Sequence, residues 1–173
     1  MPYAAANAVT VRRARTGDVP SVRNLVDPYV TEGILLDKAT VTLYESIQEF
    51  WVAERDEDGT VVGCGALHVM WEDLAEVRTL AVDPRHKGHG IGHQVLDKLL
   101  QTARWLGARR VFCLTFEVDF FAKHGFVEIG ETPVDTDVYA ELLRSYDEGV
   151  AEFLGLERVK PNTLGNSRML LHL

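Results

Sequence analysis

Residues 80–100 read LAVDPRHKGHGIGHQVLDKLL. An apolar run ends at Val82, and Pro84, which lacks an N–H, stops any strand ladder. Glycines at 88, 90 and 92 then deliver the chain into a segment whose apolar residues Ile91, Val95, Leu96, Leu99, Leu100 and Ala103 recur at helical spacing as far as Gly107. Glycine lets backbone N–H groups approach a ligand with no Cβ in the way, and a helix N-terminus adds unpaired donors and a partial positive charge. A strand, a glycine turn and a helix in that order suit a phosphate or pyrophosphate. Neither GxxxxGK(S/T) nor GxGxxG is present, so on the glycines alone a turn without a ligand stays open.

Upstream, Val9–Ala14 alternates as a strand, and Asp18 and Pro20 open a helix carrying Val22, Leu25, Val26 and Tyr29. Gly33 interrupts, and Val41–Phe50 reads as a second helix with Leu43, Tyr44 and Ile47 inward. Phe50–Glu54 and Thr60–Met70 are strands joined by DEDG (56–59), with Gly63 and Gly65 marking a bulge or a close approach. Ala75–Val82 is a further strand. Downstream come a buried strand at Arg110–Thr115, a short helix at Val118–His124, a strand at Phe126–Ile129, a helix from Thr136 to about Tyr146 and a last strand near Arg168–Leu173. Hairpin strands together with strands alternating with helices predict an α/β (α+β) fold, a mixed central sheet flanked by helices.

The chain has 173 residues, 46% of them hydrophobic and 25% charged, which fits one globular domain over residues 9–173 behind a flexible segment 1–8. No uninterrupted apolar run of about 18 residues predicts a membrane span, and MPYAAANAVT lacks the features of a signal peptide. Cys64 and Cys113 lie in apolar runs and read as reduced residues of a cytoplasmic protein. With 26 acidic against 18 basic residues, the net charge of −8 argues against nucleic acid or anionic membrane as a partner. Any anion site must therefore be local.

KGHGIG (87–92) resembles the acyl-CoA loop of the GNAT N-acetyltransferase family, Gln/Arg-x-x-Gly-x-Gly/Ala after a strand ending V-x-P, with Lys87 at the first position. FFAKHGF (120–126) is similar to that family's YxxxGF element, and the order of elements to Phe126 agrees. The resemblance implies a sheet whose middle strands splay apart. It implies acetyl-CoA as co-substrate, its pyrophosphate on the N–H groups of Lys87, Gly88, His89, Gly90, Ile91 and Gly92. The pantetheine would bond the backbone of Leu80, Ala81 and Val82, and Phe121 would pack along the cofactor arm or the core. Within the family, GILLDK (33–38), AEVRTLAV (75–82), CLTFEVDFFAKHGF (113–126) and, more weakly, NSRMLL (166–171) resemble N-acetylglutamate synthases. Longer members carry an amino-acid-kinase-like domain that binds arginine; this chain resembles a short form without it.

That resemblance implies acetylation of the α-amine of L-glutamate, the first step of arginine biosynthesis. A GNAT acting on glutamine or a protein N-terminus, or a non-catalytic acyl-CoA sensor, stays open, as does a homodimer. Side chains alternate along a strand, so Glu76, Arg78, Leu80 and Val82 are expected on one face. An ammonium must lose a proton before its nitrogen attacks a thioester; Glu76 is the candidate base, and burial would raise its pKa. The two carboxylates of glutamate need cations, for which Lys38, Arg78 and Arg168 are candidates, with Arg78 also able to position Glu76. Phe121 stands where many GNATs have a proton-donating Tyr. Thr115, Ser145, Tyr139 and Tyr146 are the alternative donors. His86, His89 and His93 surround the start of the helix, and no acidic or cysteine ligand follows in register, so no metal is expected.

Overall fold

The computed structural model describes residues 8–155 and 165–173. The expected loose segment 1–8 lies outside them except for Ala8, whose carbonyl accepts from the Asp56 N–H at 3.0 Å. Among the described residues, seven strands form one mixed sheet. They are β1 (Val9–Arg13), β2 (Phe50–Arg55), β3 (Val61–Trp71), β4 (Leu74–Val82), β5 (Arg110–Thr115), β6 (Val127–Glu128) and β7 (Ser167–His172). Their order is β1-β2-β3-β4-β5-β7-β6, antiparallel throughout except for β4 beside β5. Six helices cover it: α1 (Val19–Thr31), α2 (Thr40–Glu45), α3 (Ile91–Leu106), α4 (Val118–Ala122), α5 (Thr136–Leu142) and α6 (Glu148–Phe153).

Three of these elements differ from expectation. The second helix stops at Glu45 and gives way to a 3-10 turn, Ile47–Glu49, before Phe50 enters β2. Leu43 and Ile47 point inward as expected, but Tyr44, within α2, is exposed. The helix expected over Thr136–Tyr146 stops at Leu142, and a separate helix starts beyond it at Glu148; Asp135 and Asp147 cap the two starts by accepting from Val138 N–H and Val150 N–H. The strand expected at Phe126–Ile129 keeps only Val127 and Glu128, since Phe126 turns into the core.

α3 supplies one face of the sheet with its cover, packing Val95, Leu96, Leu99 and Ala103 on Ala53, Ala75, Val77 and Val111. The approach is close: a Cβ at Gly65 would lie 2.9 Å from Val95 and 3.0 Å from Leu99, so the expected close contact at this glycine is made by α3. Truncating Leu99 to Ala would cost about 2–5 kcal/mol of stability, as for other buried leucines. The opposite face carries two separate clusters. One joins α1 and α2 to Phe50, Val52, Cys64 and Ala81; the other joins α5 and α6 to Leu74, Phe112 and Leu170. Both cysteines are buried and free, and burial pushes the Cys64 thiol up to about 12.

β4 contains the feature that places the site. Ala66 faces Arg78 and Cys64 faces Ala81, so Thr79 and Leu80 together stand opposite Gly65. Thr79 takes φ 57°, the left-handed region that β-branched residues avoid, and makes a β-bulge. The extra residue reverses the alternation. Ala75 and Val77 face α3, Glu76 and Arg78 face away, and beyond the bulge Leu80 and Val82 face α3 again while Ala81 joins the α1–α2 cluster. The expected common face is therefore corrected: it holds for Glu76 and Arg78 and fails for Leu80 and Val82.

Candidate active site

β4 pairs with β5 only at Leu74, Ala75 and Glu76, although both strands run on. Past Glu76 the two splay, as the resemblance implied, and the β5-facing edge of Val77–Val82 borders a cleft of about 520 Å³. Its far walls are the glycine turn, the first turn of α3, Thr115–Glu117, and Phe120 and Phe121. Leu80, Ala81, Val82, Lys87, Gly88, Gly90, Ile91, Gly92 and Phe121 all line it; His89 does not. Gly88 and Gly90 have φ of 84° and 78°, and a Cβ on either would meet nothing within 4 Å. Glycine is needed there for backbone conformation, with open space outside it. The cleft fits a long ligand ending in an anion: open strand edge on one side, helix N–H donors at one end, and apolar walls between.

Tyr29, read from sequence only as an inward helix residue, donates to the Val82 carbonyl at 2.6 Å. It thereby occupies one of the backbone groups expected to meet pantetheine. The Lys87 ammonium lies 5.0 Å from the Tyr29 ring centroid, and hydrogen bonding to Tyr29 raises its pKa.

Glu76 and Arg78 sit between the α1–α2 and α5–α6 clusters, in a side recess of about 40 Å³ lined also by Lys38, Gly149 and Glu152. The recess shares Val77, Arg78, Thr79 and Leu114 with the main cleft. Glu76 is 3% exposed, and burial raises its pKa against the opposing pull of Arg78. Arg78, 8% exposed, pairs with Asp147 at 2.8 Å and Glu76 at 3.5 Å. Burial works against its charge, but the two carboxylates outweigh that and hold it protonated. Its Nε is buried with no hydrogen-bond partner. The guanidinium lies against α6, where a Cβ on Gly149 would come within 2.5 Å of Cζ. Burial, then the charge of Arg78, lowers the pKa of Lys38. His68 faces Glu76 in register and contacts the Glu49 carboxylate.

Sequence reasoning missed Asp147, Gly149 and His68. Asp147 could have been found as the helix cap in DEGV (147–150). Arg168 lines neither cavity. Its guanidinium donates to the Phe153 carbonyl at 2.7 Å and the Glu152 carbonyl at 3.4 Å, closing the C-terminal end of α6. These contacts give Arg168 a supporting place beside α6.

Of the alternative proton donors, Thr115 lines the main cleft and its Oγ1 accepts from the Glu117 N–H at 2.8 Å. Tyr146 is 99% exposed, Tyr139 packs on the α5–α6 cluster and Ser145 accepts from the Asp147 N–H, so these three lie off the cleft. Phe121 packs edge-on against Phe120 and Phe126. Among the described residues no group of three or more His, Cys, Asp or Glu could hold a metal ion. None of their helices is long and apolar enough to cross a membrane.

A splayed parallel pair beside a glycine turn and a helix N-terminus defines an acyl-CoA-dependent transferase, and residues 20–126 match the model of the Acetyltransferase (GNAT) family. The chain belongs to that family and is an acyltransferase whose donor is acetyl-CoA. It is 65% identical over 162 residues to the amino-acid acetyltransferase of Mycobacterium tuberculosis, covering 93% of this chain and 92% of that one. The crystal structure of Rv2747 from Mycobacterium tuberculosis, in complex with CoA and NLQ, superposes with a TM-score of 0.91 at 65% identity, over 95% of this chain and 99% of that one. N-acetylglutamate synthase from Neisseria gonorrhoeae, complexed with coenzyme A and N-acetyl-glutamate, gives a TM-score of 0.75 at 26% identity, over 96% of this chain and 35% of that longer one.

Proposed function

We propose that the protein acetylates the α-amine of an amino acid, with L-glutamate as the acceptor, and so carries out the first step of arginine biosynthesis. The observation that carries this reading is the recess between the two helix pairs. There the buried carboxylate of Glu76 stands beside Lys38 and an Arg78 whose Nε is still a buried, unmatched donor. A donor of that kind suits an acceptor's carboxylate, which would supply the missing hydrogen bond. The names of the relatives support the same substrate class.

Acetyl-CoA supplies a thioester carbonyl, at which a C–N bond to the amine forms as the C–S bond breaks. Glu76, held above the usual carboxylate range by burial, accepts the ammonium proton directly or through one water and frees the nitrogen lone pair. Arg78 binds the acceptor and, fixed by Asp147 and the Gly149 backbone, holds Glu76 in place. The loop Lys87–Gly92 anchors the coenzyme end. Phe121 cannot donate a proton, so either the Thr115 hydroxyl or solvent protonates the departing thiolate.

Glutamine is favoured as a second acceptor by one feature: Arg78 is already matched by two carboxylates, so the recess does not demand a second anion. Thiol release from acetyl-CoA with glutamate, glutamine and a control peptide, measured side by side, tests both. Turnover confined to the peptide would refute the amino-acid reading. Equal kcat/KM for glutamate and glutamine would remove a charge-selective side-chain pocket.

A further inference from the structure

His93, in the first turn of α3, borders the coenzyme cleft and does more than line it. Its Nδ1 lies 2.6 Å from Nε2 of His124, at the end of α4. The two rings are within 21° of coplanar with centroids 4.9 Å apart, so they meet edge to edge as hydrogen-bonding partners. Nδ1 of His124 lies 3.5 Å from the carboxylate of Asp97, one turn along α3 from His93. Phe120 stacks on His93 at 4.6 Å and holds the ring in place.

This geometry orders the protons. The Asp97 carboxylate, 3.5 Å away, favours the proton on Nδ1 of His124, and Nε2 of His124 then accepts from Nδ1–H of His93. The basic lone pair of the chain is left on Nε2 of His93, the residue that borders the cleft. At this position an imidazolium would oppose the positive end of α3. Burial, and the neighbouring His93, also lower the pKa of His124 despite Asp97, so a proton is disfavoured on His124. The other ionisable groups lining the cleft are Glu32 and Tyr29 from α1, Arg78 from β4, His86 and Lys87 from the glycine turn, and Glu117 ahead of α4. The charges that act on His124 are those of Asp97 and His93. A pyrophosphate on the α3 N-terminus would reverse the local field and make a cation there favourable.

We propose that Asp97, His124 and His93 form a charge relay in which His93 takes up a proton from solvent as the coenzyme's pyrophosphate seats, making His93 a further coenzyme-binding residue. The proposal rests on the reading that places the pyrophosphate at Lys87–Gly92, and it is independent of the acceptor's identity.

Calorimetric titration with dephospho-CoA separates the two. That ligand lacks the ribose phosphate, which itself titrates near neutrality, while its pyrophosphate stays ionised. In buffers of different ionisation enthalpy, the wild-type protein is expected to take up a fraction of a proton near pH 7. Its affinity should fall between pH 6 and pH 8 by up to about tenfold, the effect of a one-unit pKa rise on binding. His93→Gln should abolish the uptake and flatten the profile. Asp97→Asn, a change on an exposed side chain, should move the uptake to lower pH. Binding without proton uptake in the wild type, or equal uptake in His93→Gln, would overturn the relay. Failure of dephospho-CoA to bind at all would count against the pyrophosphate placement itself.

Discussion

The two ends of the proposed site are built by opposite means. The coenzyme end is backbone: a strand edge left open by the splay, two left-handed glycines and the N-terminus of α3, all within residues 77–92. The acceptor end is side chains brought together from distant segments, with Lys38, Glu76, Arg78 and Asp147 drawn from a loop, a central strand and a helix cap. Backbone recognition needs only local sequence. The charged recess exists only once the sheet and both helix pairs are assembled. Substitutions should accordingly affect coenzyme and acceptor separately.

The largest separation is expected from Glu76→Gln. Loss of the base should lower kcat about 100-fold or more while CoA affinity stays unchanged; a fully active variant would remove Glu76 from the chemistry. Gly149→Ala comes next. Its Cβ would lie 2.5 Å from the Arg78 guanidinium, and displacing that group at an overpacking cost of about 1–3 kcal/mol should raise the acceptor KM about tenfold, leaving the CoA Kd alone. Steady-state kinetics in which the CoA constant moves instead would break the division. Gly90→Ala tests the other side. Forcing a left-handed φ on alanine costs about 1–2 kcal/mol, so CoA affinity should fall about fivefold or more, with the acceptor KM unaffected.

The smallest effect is on stability. Because the folded protein raises the pKa of Glu76, it binds more protons than the unfolded chain above the ordinary glutamate pKa. The stability this contributes is present at acidic pH and is lost as pH rises through the folded pKa. Between pH 5 and pH 8 the wild type should therefore lose more thermal stability than Glu76→Gln. Parallel melting profiles for the two would show that burial places no such strain on the carboxylate.

The same division explains what the sequence disclosed. The glycine turn, α3 and most of the sheet were legible because their signals are periodic and local. Glu76, Arg78 and Lys38 could be named from strand position and resemblance, and the structure brings all three to one recess. Asp147 could be read only as a helix cap and Gly149 not at all, since residues 130–155 carry no strong period and their place beside Arg78 depends on packing against β4. Arg168 illustrates the converse: its place on the last strand is legible, but not that α6 presents its carbonyl ends to the guanidinium. Tyr29 fits its helical face so well that its bond to Val82 leaves no separate trace in the pattern.

The bulge at Thr79 gives β4 two frames. Before it, even-numbered residues look into the acceptor recess; after it, they look toward α3. A single strand can thus serve a polar compartment and an apolar one without a change in residue type along either. Deleting Thr79 would leave Leu80 alone opposite Gly65 and restore regular alternation, with Leu80 and Val82 still toward α3 and Glu76 and Arg78 still away from it. In a chain aligned to this one, a one-residue gap at Thr79 therefore removes the bulge without moving any neighbour to the other face, whereas straightening the strand with Thr79 kept would swing Leu80 into the chamber of Glu76.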